Sequence, residues 1–266
     1  MNACQQEGDE MDSSEKVIVS IEDGVMTVMI NRPEVRNAID REVSYGVCAA
    51  MDELDHRDDL RVGILTGAGG TFCAGMDLVE FASGAQIRVK GRGLMGMAFT
   101  PPEKPVIAAV EGYAVGGGFE ATLACDLLVA ARDARFGLPE VKRGLTAAGG
   151  GLIRLPRRIP QNIAMEIALT GDWVGAERLH ELGLVNRLVE PGAALSEAMS
   201  LARLIAMNAP MSVAASKKVI LHQRDWATED MFDQQEAITR PVLDSADAHE
   251  GAVAFKEKRT PRWLGQ

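Results

Sequence analysis

Two hydrophobic periods run along this chain, and the change from one to the other divides it. From Lys16 onward, KVIVSIEDGVMTVMIN carries two β-rich apolar runs around Glu22-Asp23-Gly24. An Asp-Gly step between such runs predicts a hairpin. RVGILTG (61–67), KPVIAAVEG (104–112) and LLVAA (127–131) are further short runs of this kind, and residues 40–57 and 85–99 between them place apolar side chains at helical spacing. Strands that alternate with helices predict an α/β fold built on a mainly parallel, buried sheet.

Beyond about residue 150 the period is helical. Apolar stripes recur over 161–170, 193–208, 211–222, 229–242 and 246–258, interrupted by the β-rich LVNRLV (184–189) and punctuated by Pro191-Gly192, Pro210 and Pro241. A helical tail covering neither face of the sheet would expose these stripes, so it is expected to fold back or to pack on another subunit. The first fourteen residues, MNACQQEGDEMDSS, hold too little apolar surface to offset ordering entropy and are expected to be a disordered extension.

Composition narrows the partners. Lys plus Arg number 28 against 38 Asp plus Glu, a net charge of -10 that would repel a polyanion, so nucleic acid is not an expected partner. The stretch 1–15 has neither a basic nor an apolar signal-like region and the later apolar runs are broken by Gly or charge, so neither a signal peptide nor a membrane span is expected. Cys4, Cys48, Cys73 and Cys125 have no C-x-x-C spacing and match neither a zinc pattern nor a disulfide framework, which points to a reducing cytoplasm and to no metal site. His56, His180, His222 and His249 sit in polar, helix-like settings without H-E-x-x-H spacing, and no G-x-S-x-G elbow supports a hydrolase. Trp173, Trp226 and Trp263 are read as packing residues, although a pocket wall is also open to them.

Candidate chemistry lies in three glycine-bearing segments. Leu65–Leu78 is neither a Rossmann fingerprint nor a P-loop, because Phe72 takes the place of the third glycine and no Gly-Lys-Ser/Thr follows. In Ala108–Asp126 a β-run passes through Gly116-Gly117-Gly118 into an apolar helix. Each helical glycine costs about 1 kcal/mol, so the bare backbone needs a reason. A helix start with exposed N–H groups suits an oxygen that gains charge, while close packing on the sheet is the alternative. Glu120, among Phe119, Ala121, Leu123 and Ala124, favours chemistry, because a carboxylate on an apolar helix is costly to bury. In Arg135–Leu145, Pro139 can aim Glu140, although a glutamate after a helix-starting proline is also ordinary capping.

Taken together, Phe72-Cys-Ala-Gly-Met-Asp-Leu78, Gly112-Tyr-Ala-Val-Gly-Gly-Gly-Phe-Glu120 and Phe136-Gly-Leu-Pro-Glu140 resemble the crotonase family of enoyl-CoA hydratases and isomerases. The likeness extends to Asn31-Arg-Pro33, Arg36-Asn-Ala38, Leu169-Thr-Gly171, Gly183-Leu-Val185 and Phe255-Lys-Glu-Lys-Arg259, and so covers almost all of the chain after its extension. It implies a spiral of ββα units over 15–195, followed by a helical trimerisation region over 196–266, assembled as a homotrimer or a dimer of trimers. It implies Glu120 and Glu140 as the catalytic pair, and the backbone N–H groups of Met76 and Gly117 as the oxyanion hole. Arg36, Ala38, Ala74, Asp77, Leu78, Gly116 and Pro139 correspond to the substrate-binding region, and Phe255 and Lys258 to residues that reach the nucleotide of a neighbouring subunit. Coenzyme A enters as part of the substrate and no separate cofactor is implied.

Retention of both glutamates favours water addition to a 2-enoyl-CoA in fatty acid β-oxidation over double-bond migration by an isomerase. Val174-Gly-Ala-Glu177, Val185-Asn-Arg187 and the closing stretch 250–265 also resemble carnitinyl-CoA dehydratase, and the loop 144–150 departs from the mitochondrial-type hydratases. A catalytically idle CoA-binding homologue is the reading outside enzymes, and intact glutamates speak against it.

Overall fold

The computed structural model describes residues 16–266; the expected extension 1–14 lies outside the described residues. The described residues begin with the expected hairpin, β1 (Val17–Glu22) and β2 (Val25–Ile30), antiparallel and closed by the Asp23-Gly24 turn with Glu22 opposite Val25. Helix α1 (Arg41–His56) follows, started by Asp40, whose side chain accepts the Val43 N–H at 2.8 Å. It returns the chain to β3 (Val62–Gly67), parallel to β2, and the short α2 (Leu78–Ala82) begins the next crossover.

From there successive strands alternate between two sheets. β4 (Val106–Val110) joins the first sheet and β5 (Tyr113–Val115) the second; after α3 (Gly117–Ala124), β6 (Leu127–Ala131) and β7 (Arg135–Gly137) repeat the step. Helices α4 (Gly151–Arg158) and α5 (Gln161–Thr170), β8 (Val174–Gly175), α6 (Ala176–Glu181) and β9 (Arg187–Val189) complete the spiral. The larger sheet has the order β1-β2-β3-β4-β6-β9, parallel except at β1–β2, and the smaller has β5-β7-β8. The α/β expectation is met.

Alternate side chains of the large sheet enter two separate cores, as the strand period of two requires. Met26, Val28, Leu65, Ala108 and Val110 face α1, which buries Val43, Val47, Met51 and Leu54 against them. Val25, Val62, Ile64, Ile107, Ala109 and Val129 face α7 (Ala194–Ala206), which presents Ala194, Ala198 and Ala202 at four-residue spacing. The tail therefore begins by folding back, and the expected boundary at 195/196 falls in the first turn of α7. The carboxylate of Glu111, in the β4–β5 turn, caps α7 by accepting the N–H groups of Gly192 and Ala194 at 3.0 and 2.9 Å. Helices α8 (Pro210–His222), α9 (Met231–Leu243) and α10 (Ala246–Glu257) complete the chain with Ile220, Phe232, Leu243 and Phe255 exposed.

Two expectations need correction. Residues 85–99 form no α-helix: Gly84, Gly91, Gly93 and Gly96 take positive φ, and only Leu94–Gly96 makes a 3-10 turn. The apolar spacing there belongs instead to a buried irregular segment carrying Ile87, Val89, Leu94, Met95 and Met97. Cys73 and Cys125 are free and buried, but Cys48 is disulfide-bonded, a pairing that the spacing did not indicate; Cys4 lies outside the described residues. Among the described residues no single helix is long and apolar enough to cross a membrane; α7 and α8 pass that test only as a pair bent by 108°.

Candidate active site

The carboxyl ends of β3 and β5 meet where the glycine segments converge. The stretch 73–76 runs beside β5, with Cys73 N–H donating to the Tyr113 carbonyl at 2.8 Å and Val115 N–H to the Cys73 carbonyl at 3.0 Å. On its other side the Ile39 N–H donates to Gly75 at 2.8 Å and the Asp77 N–H to Ile39 at 2.9 Å, which fixes Met76 between two bonded neighbours. Gly75 has a φ of +98°, and a Cβ there would stand 2.8 Å from the Val115 carbonyl oxygen and 3.3 Å from the Gly117 nitrogen. Only glycine allows the two backbones this approach.

Gly117 is the first residue of α3, where a helical N–H has no partner in its own helix. A Cβ on Gly117 would be 3.5 Å from the Met76 nitrogen, so the two amides lie side by side. Neither donates to any group among the described residues. Both residues line a cleft of about 600 Å³ together with Glu120 and Glu140.

Glu120 projects from the fourth residue of α3 and is 4% exposed. Its Oε1 accepts the N–H groups of Gly149 at 2.7 Å and Gly151 at 3.0 Å. Burial pushes its pKa up to about 7; the Glu140 charge adds to the rise, while the two N–H donors and Arg88 oppose it. Glu140 is the second residue of the 3-10 turn Pro139–Arg143, with Pro139 at its start. Burial raises its pKa as well, and its Oε2 is buried without a hydrogen-bond partner. A Cβ at Gly116, where φ is +56°, would be 3.3 Å from Glu140 Oε1, so this carboxyl lies over the start of α3. Two uneasy carboxyls and two unused N–H donors thus share one cleft.

The enoyl-CoA hydratase/isomerase model matches residues 20–266. The chain belongs to that family. An enoyl-CoA hydratase of Mycobacterium tuberculosis has a crystal structure that superposes with a TM-score of 0.93 at 56% identity, covering 95% of this chain and 100% of the other. Mevalonyl-coenzyme A hydratase of Aspergillus fumigatus is 39% identical over 90% of this chain and 91% of its own. Carnitinyl-CoA dehydratase of Salmonella arizonae is 40% identical over 91% and 95%.

In this member of the family the cleft also gathers Arg36, Ala74, Leu78, Gly116 and Pro139. Ala38 and Asp77, also expected at the substrate, do not line the cleft. The Ala38 carbonyl accepts Arg32 Nη1 at 2.7 Å, and Asp77 caps α2 by accepting the N–H groups of Val79 and Glu80 while it pairs with Arg32 at 3.2 Å. Phe255 is 86% exposed near the end of α10, Lys258 is that helix's left-handed cap, and neither lines this chain's own cleft.

Sequence reasoning gave no role to Gly149 and Gly151, the donors that hold Glu120. The run Gly149-Gly150-Gly151 was the available signal, since consecutive glycines where a helix starts mark a close backbone approach. Trp173 stands at the cleft, 54% exposed and edge-on to Tyr113 with ring centroids 5.1 Å apart, rather than in the core. Arg88, Leu94 and Leu145 also line the cleft and carry no motif.

Proposed function

We propose that the protein hydrates 2-enoyl-CoA thioesters, with Glu120 and Glu140 as the catalytic pair and the N–H groups of Met76 and Gly117 as the oxyanion hole. The observation that carries this reading is the sharing of one cleft by the buried carboxyl of Glu120, the half-buried one of Glu140 and two unbonded backbone amides. Water addition needs a base for the water, an acid for the α-carbon and donors for the carbonyl oxygen as it gains charge.

Glu120, fixed through Oε1 by two N–H donors, keeps Oε2 to orient and activate the water. Glu140, whose Oε2 has no partner, holds the proton that passes to the α-carbon. One proton shared by the pair serves both roles, and the water bridging them restores it. The thioester carbonyl accepts from Met76 and Gly117, and Arg36, Ala74, Leu78, Gly116 and Pro139 line the way to the coenzyme A portion. Coenzyme A is consumed and released as part of the substrate.

The reading includes a homotrimer, or a dimer of two, in which α8–α10 cover exposed apolar side chains and bring Phe255 and Lys258 towards a neighbour's nucleotide. Exposure of Ile220, Phe232, Leu243 and Phe255 supports it. The intracellular supply of CoA thioesters supports a cytoplasmic role in β-oxidation. Because the same groups catalyse both directions, dehydration of a 3-hydroxyacyl-CoA is the reverse reaction of the same site.

The test follows the near-ultraviolet absorbance of a conjugated enoyl-CoA. The natural chain is expected to bleach it, and Glu120→Gln and Glu140→Gln to abolish the change while a saturated acyl-CoA still binds. Binding without bleaching in the natural chain would overturn the hydratase reading.

A further inference from the structure

The two amides of the proposed oxyanion hole are held differently. Gly117 is the first residue of α3, and the helix sets the direction of its N–H. Met76 lies in an irregular segment and is paired with Ile39 as an isolated parallel bridge, made by the Ile39 N–H to the Gly75 carbonyl and the Asp77 N–H to the Ile39 carbonyl. Shortly before Ile39 come Arg36 and Asn37, two non-glycine residues with φ of +54° and +56°. Such left-handed residues persist where their surroundings over-determine them. A donor carried on a two-bond bridge beside a strained turn needs further restraint.

Arg32 supplies it. Its side chain is 14% exposed and does not line the cleft. Nη1 donates to the carbonyl of Ala38, immediately before Ile39, at 2.7 Å. Nη1 and Nη2 also donate to Oδ2 of Asp77, immediately after Met76, at 3.2 and 3.3 Å. One planar guanidinium therefore spans both segments of the bridge. The Arg32 backbone N–H donates to Asn37 Oδ1 at 2.9 Å, while Asn37 Nδ2 donates to the Ala68 and Thr71 carbonyls, so the left-handed turn is tied down by the same residue. Asp40, 3.2 Å from Nη1, does not require this arginine, because it already holds Lys16 and the Val43 N–H, both at 2.8 Å. Asp77 caps α2 through Oδ1, which leaves Oδ2 to the guanidinium.

We propose that Arg32 is a positioning residue for the oxyanion hole: by clamping Ala38 and Asp77 on either side of the Ile39–Met76 bridge, it aims the Met76 N–H at the thioester oxygen. The assignment rests on the reading of Met76 as a donor to that oxygen. A donor fixed before charge develops costs no reorganisation during the reaction. The guanidinium suits the task because its donors form a rigid fork, whereas an ammonium is a point charge on a flexible stem.

Butyryl-CoA cannot be hydrated, so the carbonyl stretch of its isotope-labelled thioester, read in the complex by infrared difference spectroscopy, reports the hole without turnover. Hydrogen bonds to the oxygen lower that frequency. The natural chain is expected to shift it below its value in water, Arg32→Met to give back part of the shift, and Arg32→Lys to lie between them. A merely structural role would lower the band's intensity with the amount of folded complex and leave its frequency in place. Arg32→Met is also expected to lower kcat on a short enoyl-CoA by about 10- to 100-fold, less than outright loss of an oxyanion donor, with butyryl-CoA affinity kept within a few-fold. An Arg32→Met frequency equal to that of the natural chain would overturn the proposal whatever the rate does; if that variant does not fold, the same outcome in Arg32→Lys would overturn it. An unshifted band in the natural chain would overturn the oxyanion-hole reading and the positioning role with it. If the natural chain hydrates no enoyl-CoA yet the Arg32-dependent shift is present, the hydratase reading fails and the positioning assignment stands.

Discussion

The amide of Gly149 donates to Oε1 of Glu120 at 2.7 Å, and a Cβ on Gly149 would stand 2.6 Å from Oε2 of the same carboxyl. The glycine therefore both anchors one oxygen and leaves room for the other. Gly149→Ala is expected to push the carboxyl aside, at a stability cost of about 1–3 kcal/mol for overpacking. Displacement of a catalytic group by about 1 Å is expected to lower kcat roughly 100-fold. Acyl-CoA affinity should change little, because the amide donors of Met76 and Gly117 are untouched. Turnover measured beside thermal unfolding and acyl-CoA binding checks it; an unchanged kcat would separate Gly149 from the positioning of Glu120.

Glu120 and Glu140 face one cleft and share one proposed water, so their losses should not add. Each single Gln variant is expected to lower kcat/KM by about 10² to 10⁴. The double variant is expected to lose scarcely more than the worse single one, as residues that act as a unit do. Steady-state rates of the four proteins close this cycle. Multiplicative losses would show two independent functions.

Activity should pass through a maximum with pH. The value of about 7 for Glu120 includes repulsion from the Glu140 charge, and so belongs to loss of the pair's second proton. The singly protonated pair is the working form, and kcat/KM of the free enzyme is expected to fall above about pH 7. The acid limb lies lower, but above the ordinary carboxyl range because burial raises Glu140 as well. Glu140→Gln removes the repulsion and should shift the remaining titration of Glu120 downwards. A rate that stays level from about pH 5 to about pH 9 would contradict the shared proton.

Folding stability should follow the same carboxyl. A Glu120 pKa raised from its ordinary value of 4.5 to about 7 means that the folded chain keeps a proton that the unfolded chain has released in that interval. The contribution is complete below the unfolded value and is lost as the pH rises through about 7. Its full size is about 3 kcal/mol. In Glu120→Gln the amide oxygen can still accept from Gly149 and Gly151, and no charge is left to bury. That variant is expected to be more stable than the natural chain at about pH 8, with the advantage fading towards about pH 5. Urea midpoints at the two pH values measure it.

How far the sequence reached can be followed along α3. A carboxylate among Phe119, Ala121, Leu123 and Ala124 is a local anomaly, so Glu120 was legible from its neighbours alone. Its partners Gly149 and Gly151 were not, because the bonds to them span 29 and 31 residues and form only when α4 packs on α3. The hairpin and α1 follow from local period and capping. By contrast β7 and β8, three and two residues long, owe their form to pairing with each other and with β5. The stretch 85–99 misled because a buried loop repeats apolar residues as a helix does. Its positive-φ glycines at 91, 93 and 96 were the signal against a helix.

Met76 separates what the main chain does from what the side chain does. Its N–H lies beside that of Gly117, while its half-buried side chain packs against the core next to the cleft. Met76→Ala leaves the amide in place between the bonded Gly75 and Asp77, so kcat on a short enoyl-CoA is expected to stay within a few-fold. The space released should favour bulkier acyl groups, since one methylene in an apolar pocket is worth roughly 10-fold or more in kcat/KM. A series of linear and branched enoyl thioesters reads this as a changed order of preference. A loss of about 10² or more in kcat with every substrate would place the function in the side chain and remove the backbone amide of Met76 from the oxyanion hole.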